Sequence, residues 1–263
     1  FSGIMCKGLK KIRGKWYYFD PDRGVACSGW ITDEAGNRRY FDPKTFVMAE
    51  GEQTIDGRTY TFDEKGVGTL KQDKWNQLLE TYENDSSVNQ LIFVQYQGGS
   101  NAQVILYEKQ NGSWKEDFSC QGYVGGNGID KVKEGDRKTP TGVFGFTKAF
   151  GIKDNPGAKL PYTKLNPYLY WCGDEQWYNT LVDVREIHHE CSGEHLISYV
   201  PHYNYVLAID YNPECIFRKG SAIFLHCTGS NPYTGGCVAV SESNMIRIMQ
   251  TVDKGAKICI YPQ

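Results

Sequence analysis

The feature that most constrains this chain is a signal repeated near its start. Lys15-Trp16-Tyr17-Tyr18-Phe19-Asp20, Arg39-Tyr40-Phe41-Asp42 and Arg58-Thr59-Tyr60-Thr61-Phe62-Asp63 each end an aromatic run on an aspartate, at positions 20, 42 and 63. Spacings of 22 and 21 residues mark an array in which one small unit stacks on the next. Each run is tied to a glycine-bearing turn, in Ile12-Arg13-Gly14-Lys15, Glu34-Ala35-Gly36-Asn37 and Ile55-Asp56-Gly57-Arg58, so each unit reads as a β-hairpin. A lone hairpin is barely stable in water, and stacking buries its aromatic face. Residues 1–70 are therefore expected to hold three such units.

After Leu70 the composition turns polar, with Trp75, Leu78, Leu79 and Tyr82 three or four residues apart, which predicts a short amphipathic helix and a linker over residues 71–89, ending near Asn84-Asp85-Ser86-Ser87. From Gln90 apolar residues alternate. Leu91 to Tyr96, a Gly98-Gly99-Ser100-Asn101 turn and Ala102 to Tyr107 predict a hairpin. Further strands are expected at Trp114–Asp117, Gly142–Phe146, Tyr205–Ile209, Ala222–Leu225 and Lys257–Ile260. One helix is expected between Ser241 and Val252, with Met245, Ile246, Ile248, Met249 and Val252 on one side and Ser241 or Ser243 as its cap. The fold class expected for residues 90–263 is mainly β with few helices. The 29 glycines and 36 aromatic residues in 263 positions suit turns and strands, and 40% hydrophobic with 23% charged residues suits one large or two modest globular domains.

With 29 basic against 31 acidic residues the net charge is −2, and no Lys/Arg block could track phosphates, so nucleic acid is not an expected partner. No apolar run approaches the roughly 20 residues that cross a bilayer. Phe1 to Cys6 does not read as a signal peptide; the chain begins with Phe and not Met, and the expectation is a trimmed product whose export signal has been removed. Nine cysteines, at 6, 27, 120, 172, 191, 215, 227, 237 and 259, leave at least one unpaired within the chain, and sequence does not choose between a reduced protein and an exported one with some bridges.

The sharpest local signal is Ala222-Ile223-Phe224-Leu225-His226-Cys227, an apolar strand with a histidine at its end, followed by a Gly/Pro/Asn/Ser loop and Thr234-Gly235-Gly236-Cys237-Val238-Ala239. The ten-residue loop between His226 and Cys237 is long enough to fold back and bring imidazole beside sulfur, as thiol catalysis requires. A neighbouring imidazolium or a ring of N–H groups would lower the thiol pKa. Gly235 and Gly236 permit successive N–H groups to converge on a developing oxyanion, where one donor is worth about 3 to 4 kcal/mol of barrier. Cys227, adjacent to His226, is expected to face the opposite way and be buried.

This segment resembles the active-site motif of the L,D-transpeptidase (YkuD) family. Thr139-Pro140-Thr141-Gly142-Val143-Phe144, Trp177-Tyr178-Asn179-Thr180 and Ser192-Gly193-Glu194-His195-Leu196 carry the same resemblance over residues 90 to 263. The resemblance implies a YkuD-like β-rich domain with Cys237 as nucleophile, His226 as its base, the Cys227 main-chain carbonyl orienting the imidazole, and Gly235, Gly236 and the Cys237 amide as oxyanion pocket. It implies acyl transfer on peptidoglycan stem peptides: Cys237 attacks the carbonyl of the third stem residue, D-Ala leaves, and a neighbouring stem amine resolves the thioester into a 3→3 cross-link. Water as acceptor would make a carboxypeptidase. A carbapenem is expected to acylate the same sulfur. The family often has a histidine two residues before the nucleophile and Arg or Asn two residues after it; here these are Gly235 and Ala239, so Tyr178, Asn179, His195 and Thr234 are candidates to hold the substrate.

The front end resembles the cell-wall-binding (choline/glucan-binding type) repeats of bacterial surface enzymes and toxins, in which Gly-Trp precedes a turn and Tyr-Tyr-Phe-Asp. Gly29-Trp30 and Tyr17-Tyr18-Phe19-Asp20 match, whereas Gly51-Glu52 and Gly68-Thr69 replace Gly-Trp in the later units. The resemblance implies a wall polymer or glycan as partner, with Trp30, Tyr18 and Tyr40 as contacts and an extracellular, wall-associated location. The competing reading makes these aromatics hairpin core and spacer.

Other constellations fit less well. His188-His189-Glu190-Cys191 has ligand-type residues without a second cluster at zinc spacing, so neither metal nor cofactor is expected. His202 is expected to be a loop residue. A sortase would carry Arg soon after Thr-x-x-Cys, whereas Arg247 is the first here, and papain-like enzymes place Cys before His. A wall-anchoring adaptor with an inactive body is disfavoured by the intact His226 and Cys237.

Overall fold

The computed structural model describes residues 5–71 and 73–263; Phe1 to Ile4, most of the segment set aside above as no signal peptide, and Gln72 in the connecting stretch lie outside them. The chain divides into two compact units, one up to Glu83 and one from Asn84.

In the first unit the hairpins pair Gly8–Ile12 with Lys15–Phe19, Gly29–Thr32 with Arg38–Phe41, and Gly51–Ile55 with Arg58–Phe62. The first and third turns are Arg13-Gly14 and Asp56-Gly57, all four residues at positive φ, the mirror-image turn whose twist matches antiparallel strands. The repeated aspartates have a shared task. Asp20 Oδ1 accepts the N–H groups of Asp22 and Arg23, Asp42 Oδ1 those of Lys44 and Thr45, and Asp63 Oδ1 those of Lys65 and Val67. Each carboxylate thus ends a strand by turning the chain back against it, so that Ala26–Cys27 pairs with Tyr18 and Phe19, Met48 with Phe41, and Gly68–Leu70 with Tyr60 to Phe62. The helix forms at Lys74–Thr81, where Asp73 accepts from the Asn76 N–H and Leu78 and Leu79 are buried.

The second unit is built on a ten-stranded sheet. Its order is Gly142–Phe144, Lys257–Pro262, Gln90–Gly98, Asn101–Gln110, Ser113–Tyr123, Val238–Val240, Phe224–Cys227, Val206–Ile209, Phe146–Gly151 and Tyr162–Lys164. Period-two alternation splits it between two cores. Leu207, Ile209, Leu225, Cys227, Val238 and Val240 face the first, with Met245, Ile248 and Met249 of the helix Glu242–Thr251. Ser241 caps that helix, its Oγ accepting from the Asn244 N–H at 3.3 Å. Val206, Ala208 and Phe224 face the second core, which they share with Leu169 and Trp171 of a separate three-stranded sheet. That sheet, Thr180–Asp183, Leu169–Cys172 and Glu194–His195, forms a wall over the end of the histidine strand and was not among the expected strands. The molecule is mainly β, as expected.

Candidate active site

The strands Phe224–Cys227 and Val238–Val240 are parallel neighbours, with Leu225 opposite Val238 and His226 opposite Ala239. Cys237 therefore enters its strand across from Phe224, two residues back from His226, and residues two apart share a face. Imidazole and thiol project from one side of the sheet, their Cα atoms on a diagonal of roughly 8 Å set by strand rise and spacing. Cys227 projects from the other, fully buried, its Sγ donating to the Tyr205 carbonyl at 3.7 Å.

The His226 ring is fixed by one bond: Nδ1–H donates to the Cys227 main-chain carbonyl at 2.8 Å, leaving Nε2 as the basic nitrogen. The ring is buried, and burial holds its pKa down to about 4. Cys237 is 7% exposed; its thiol donates to the Ala222 carbonyl at 3.1 Å and accepts the Phe224 N–H at 3.3 Å. Burial, with the neighbouring Glu194 carboxylate, pushes this thiol up to about 12. The resting pair is thus a neutral thiol and a neutral imidazole, not the lowered-pKa thiolate that Cys–His adjacency suggests, because desolvation outweighs every favourable charge nearby.

Both residues line a cleft of about 670 Å³ between the main sheet and the wall. The 234–237 loop is held from below. Thr234 Oγ1 donates to the Cys237 carbonyl at 2.7 Å, Thr139 Oγ1 donates to the same carbonyl at 3.0 Å, and the Gly236 N–H donates to Thr234 Oγ1 at 3.1 Å. Thr234 is therefore a brace for the nucleophile loop. The Gly236 N–H, expected in the oxyanion pocket, is spent on that brace. Gly236 has φ +147, and a Cβ there would lie 2.9 Å from the Lys138 carbonyl, so the loop shape itself requires glycine.

Of the other expected substrate contacts, Tyr178 lines the cleft, its hydroxyl donating to Glu134 and accepting the Gly220 N–H. Asn179 and His195 do not line it. Asn179 Oδ1 accepts Trp171 Nε1–H and the Ala222 N–H, and its Nδ2 donates to the Tyr211 and Asn212 carbonyls, so the whole amide is consumed in joining the wall to the sheet. His195 stacks on Tyr170 at 4.5 Å, with Nε2 on the Pro167 carbonyl and Nδ1 on Ser198 Oγ. Alternation along that two-residue strand presents its neighbour Glu194 to the cleft instead.

Among the cleft residues that the sequence does not announce are Glu194, His202 and Lys131. Glu194 accepts from the buried Tyr203 hydroxyl, and burial raises its carboxyl to about 7. His202, expected to be an idle loop residue, lies in the cleft with its ring centroid 5.9 Å from that of His226. Lys131 is buried in an ion pair with Asp136 at 2.8 Å. Glu194 belonged to a motif already noted, whereas nothing local marks His202 or Lys131.

In the first unit, Trp30 packs on Tyr40, Tyr60 and Phe62 with centroids 5.4, 4.7 and 5.8 Å away, and the Arg38 guanidinium covers it at 4.4 Å. Tyr18 lies apart, against Phe41 at 6.1 Å. Trp30 and Tyr40 share one aromatic cluster; Tyr18 belongs to another contact. Finally, the fold brings to His189 and Cys191 the partners that sequence spacing did not show: Cys172, Asp174, His189 and Cys191 place ligand atoms within 4.8 Å of one another.

Comparison with known proteins matches both units. The family described as YkuD, L,D-transpeptidase catalytic domain, matches residues 73–260, and the choline-binding repeat matches residues 6–50. Among curated proteins, a Glucosyltransferase-S of Streptococcus mutans is 36% identical over 25% of this chain and 6% of its own length, and one of Streptococcus downei is 39% identical over 26% and 5%. The chain spans about a twentieth of the length of these relatives. Among solved structures, the helical cell shape determining protein Pgp2 of Campylobacter jejuni matches at 18% identity and TM-score 0.40, over 71% of this chain and 55% of that one. Choline binding protein F of Streptococcus pneumoniae matches at 22% identity and TM-score 0.25, over 47% and 34%. The extent of the catalytic-domain match decides the assignment: the chain belongs to the YkuD family of L,D-transpeptidase catalytic domains, and carries a choline-binding repeat segment ahead of it.

Proposed function

We propose that this enzyme forms 3→3 cross-links between peptidoglycan tetrapeptide stems, with Cys237 as the nucleophile. The observation that carries the reading is a buried thiol and a histidine on one face of adjacent parallel strands, the histidine locked through Nδ1 on the Cys227 carbonyl. Because the thiol sits near 12 and the imidazole near 4, an ion pair does not wait in the resting site. The proton passes from Sγ to His226 Nε2 as the C–S bond forms, once the thiol leaves the Ala222 carbonyl.

Sulfur attacks the carbonyl carbon of the third stem residue, and the oxyanion is met by the Cys237 and Gly235 N–H groups. The bond to D-Ala breaks, and His226 returns its proton to the leaving amine. A side-chain amine of a second stem then attacks the thioester, forming the new amide and returning the thiol. Lys131, held by Asp136, takes the place of the polar residue that Ala239 does not supply, as positive charge in the cleft, while the Tyr178 hydroxyl is already spent on Glu134.

The test is mass spectrometry of disaccharide-tetrapeptide incubated with the wild type and with Cys237→Ala. Dimers with loss of D-Ala, and a carbapenem adduct, are expected only with the wild type. An equal adduct in the variant overturns the site, and trimmed monomers without dimers assign a carboxypeptidase. For the repeats we infer retention on wall polymer through the Trp30–Tyr40 cluster, where a quaternary ammonium would displace Arg38 from the indole face. Pull-down on purified wall polymer should weaken with Trp30→Ala, and undiminished retention would return these aromatics to a packing role.

A further inference from the structure

Two short ligand-bearing segments, Cys172-Gly173-Asp174 and His189-Glu190-Cys191, meet beside the cleft wall. Cys172 ends the central wall strand, and Asp174 stands at the start of the single turn Glu175–Trp177 without capping it, its carboxylate turned to the other segment. His188, at φ 50, reverses the chain after Val184–Ile187 and brings His189 and Cys191 back. Cys191 Sγ lies 2.7 Å from Cys172 Sγ, His189 Nε2 lies 3.0 Å from Asp174 Oδ2, and Cys172 Sγ lies 3.7 Å from the same oxygen. Asp174 is oriented from outside the cluster by Ser192, whose N–H donates to Oδ2 at 2.9 Å and whose hydroxyl donates to Oδ1.

We propose that Cys172, Asp174, His189 and Cys191 bind a structural zinc ion that staples the wall of the cleft. Two sulfurs, one imidazole and one carboxylate supply the four donors of a closed tetrahedral site, and the soft pair of thiolates selects zinc over magnesium or calcium. A Cys172–Cys191 disulfide explains less. At 2.7 Å the sulfurs stand nearer to bonding length than to the spacing a shared metal imposes, but a disulfide gives Asp174 and His189 no reason to converge on the same point. A metal with bonds of about 2.3 Å to sulfur requires the two to part to roughly 3.8 Å, and binding releases both thiol protons to solvent. Cys172 is fully buried while the other three are part-exposed, so the ion has a route in. Ser192 leads directly into Gly193 and Glu194, which line the cleft, so the staple sets the position of that wall.

Elemental analysis of full-length protein expressed with zinc in the medium should find one zinc per chain, removed by EDTA. Cys191→Ser and His189→Ala should hold less than a fifth of it. Cobalt(II) added to the EDTA-treated wild type should give a thiolate-to-cobalt charge-transfer band, absent from Cys172→Ser/Cys191→Ser. If the variants do not fold, native mass spectrometry of the wild type decides, with a mass shift of one zinc less two protons. No metal and no cobalt band overturns the proposal. So does a peptide map linking Cys172 to Cys191 with a mass lower by two hydrogens, or zinc that persists in the double variant.

Discussion

In the repeat unit a side chain added at Gly8, Gly14, Gly29, Gly36 or Gly51 would meet open space, whereas in the body one added at Gly125, Gly151, Gly193 or Gly255 would strike a backbone oxygen at 1.8 to 2.3 Å. These five repeat glycines have positive φ; the four in the body do not. The first set answers to the local dihedrals of a turn, the second to another strand or loop arriving from far along the chain. At these positions the repeat unit answers to short-range sequence and the body to long-range packing, although Gly24, Gly66 and Gly68 in the repeats are also crowded, by Met5, Met48 and Phe62 side chains. The comparison can be broken most forcefully at Gly193. Its added Cβ would lie 2.0 Å from the Trp171 carbonyl and 2.6 Å from the Gly173 nitrogen, both main-chain atoms that cannot swing aside. Gly193→Ala should cost the body about 3 kcal/mol or more and disturb the cleft wall. A denaturation midpoint of the body equal to wild type would show that the wall gives, and that close approach is not its organising constraint.

Acid should separate the units next. In the array, Asp20 and Asp42 are held below 3.8 by the backbone N–H groups they accept, so their contribution is present above that value and is lost only in stronger acid. The body holds two groups that titrate nearer neutrality, with opposite signs. His226, lowered from 6.5 to about 4, binds its proton more weakly folded than unfolded, so it removes stability as pH falls from 6.5 toward 4. Glu194, raised from 4.5 to about 7, binds its proton more tightly folded, so it removes stability as pH rises from 4.5 toward 7. Between 4.5 and 6.5 the two oppose each other. Glu194→Gln should leave the histidine slope alone, so that the body of the variant weakens on acidification from pH 6.5 more steeply than wild type while the array does not respond. Parallel urea midpoints against pH for the two proteins would remove Glu194 from this account. The same variant should alkylate faster at Cys237 at fixed pH, because one carboxylate that raises its thiol is gone.

The same division explains what the sequence made legible. Asp20, Asp42 and Asp63 announce the array because each bonds to N–H groups within four residues of itself. His226 and Cys237 were legible for a related reason: a strand, a ten-residue loop and a second strand nearly determine where both side chains point. Adjacent Cys227 falls on the opposite face by alternation alone. Asn179 and His195 point away from the cleft, since motif membership does not say which way a side chain turns, and both are saturated by wall contacts. His202 reaches the cleft at the start of the single turn His202–Asn204 and Lys131 on a loop, both positioned by other segments. The ligand cluster shows the limit most clearly. His189 and Cys191 are visible as ligand types, while their partners lie 15 or more residues upstream, at the end of a strand the sequence does not announce and just beyond it.

The smallest effect, at Gly14, tests the other half of the comparison. Gly14 has φ +83 with nothing within 4 Å of an added Cβ, so space cannot be what demands glycine there. Only the left-handed backbone does, at a cost of about 1 kcal/mol for an ordinary L-residue. Gly14→Ala should therefore lower the stability of the N-terminal unit by about that amount and leave the body transition where it is. Gly14→Asn should recover most of the loss, since asparagine tolerates the left-handed region although its side chain is larger. At Gly193 the order reverses, because a larger side chain there makes the collision worse. If alanine and asparagine are equally harmful at Gly14, the turn is limited by volume after all, and the two units obey one rule instead of two.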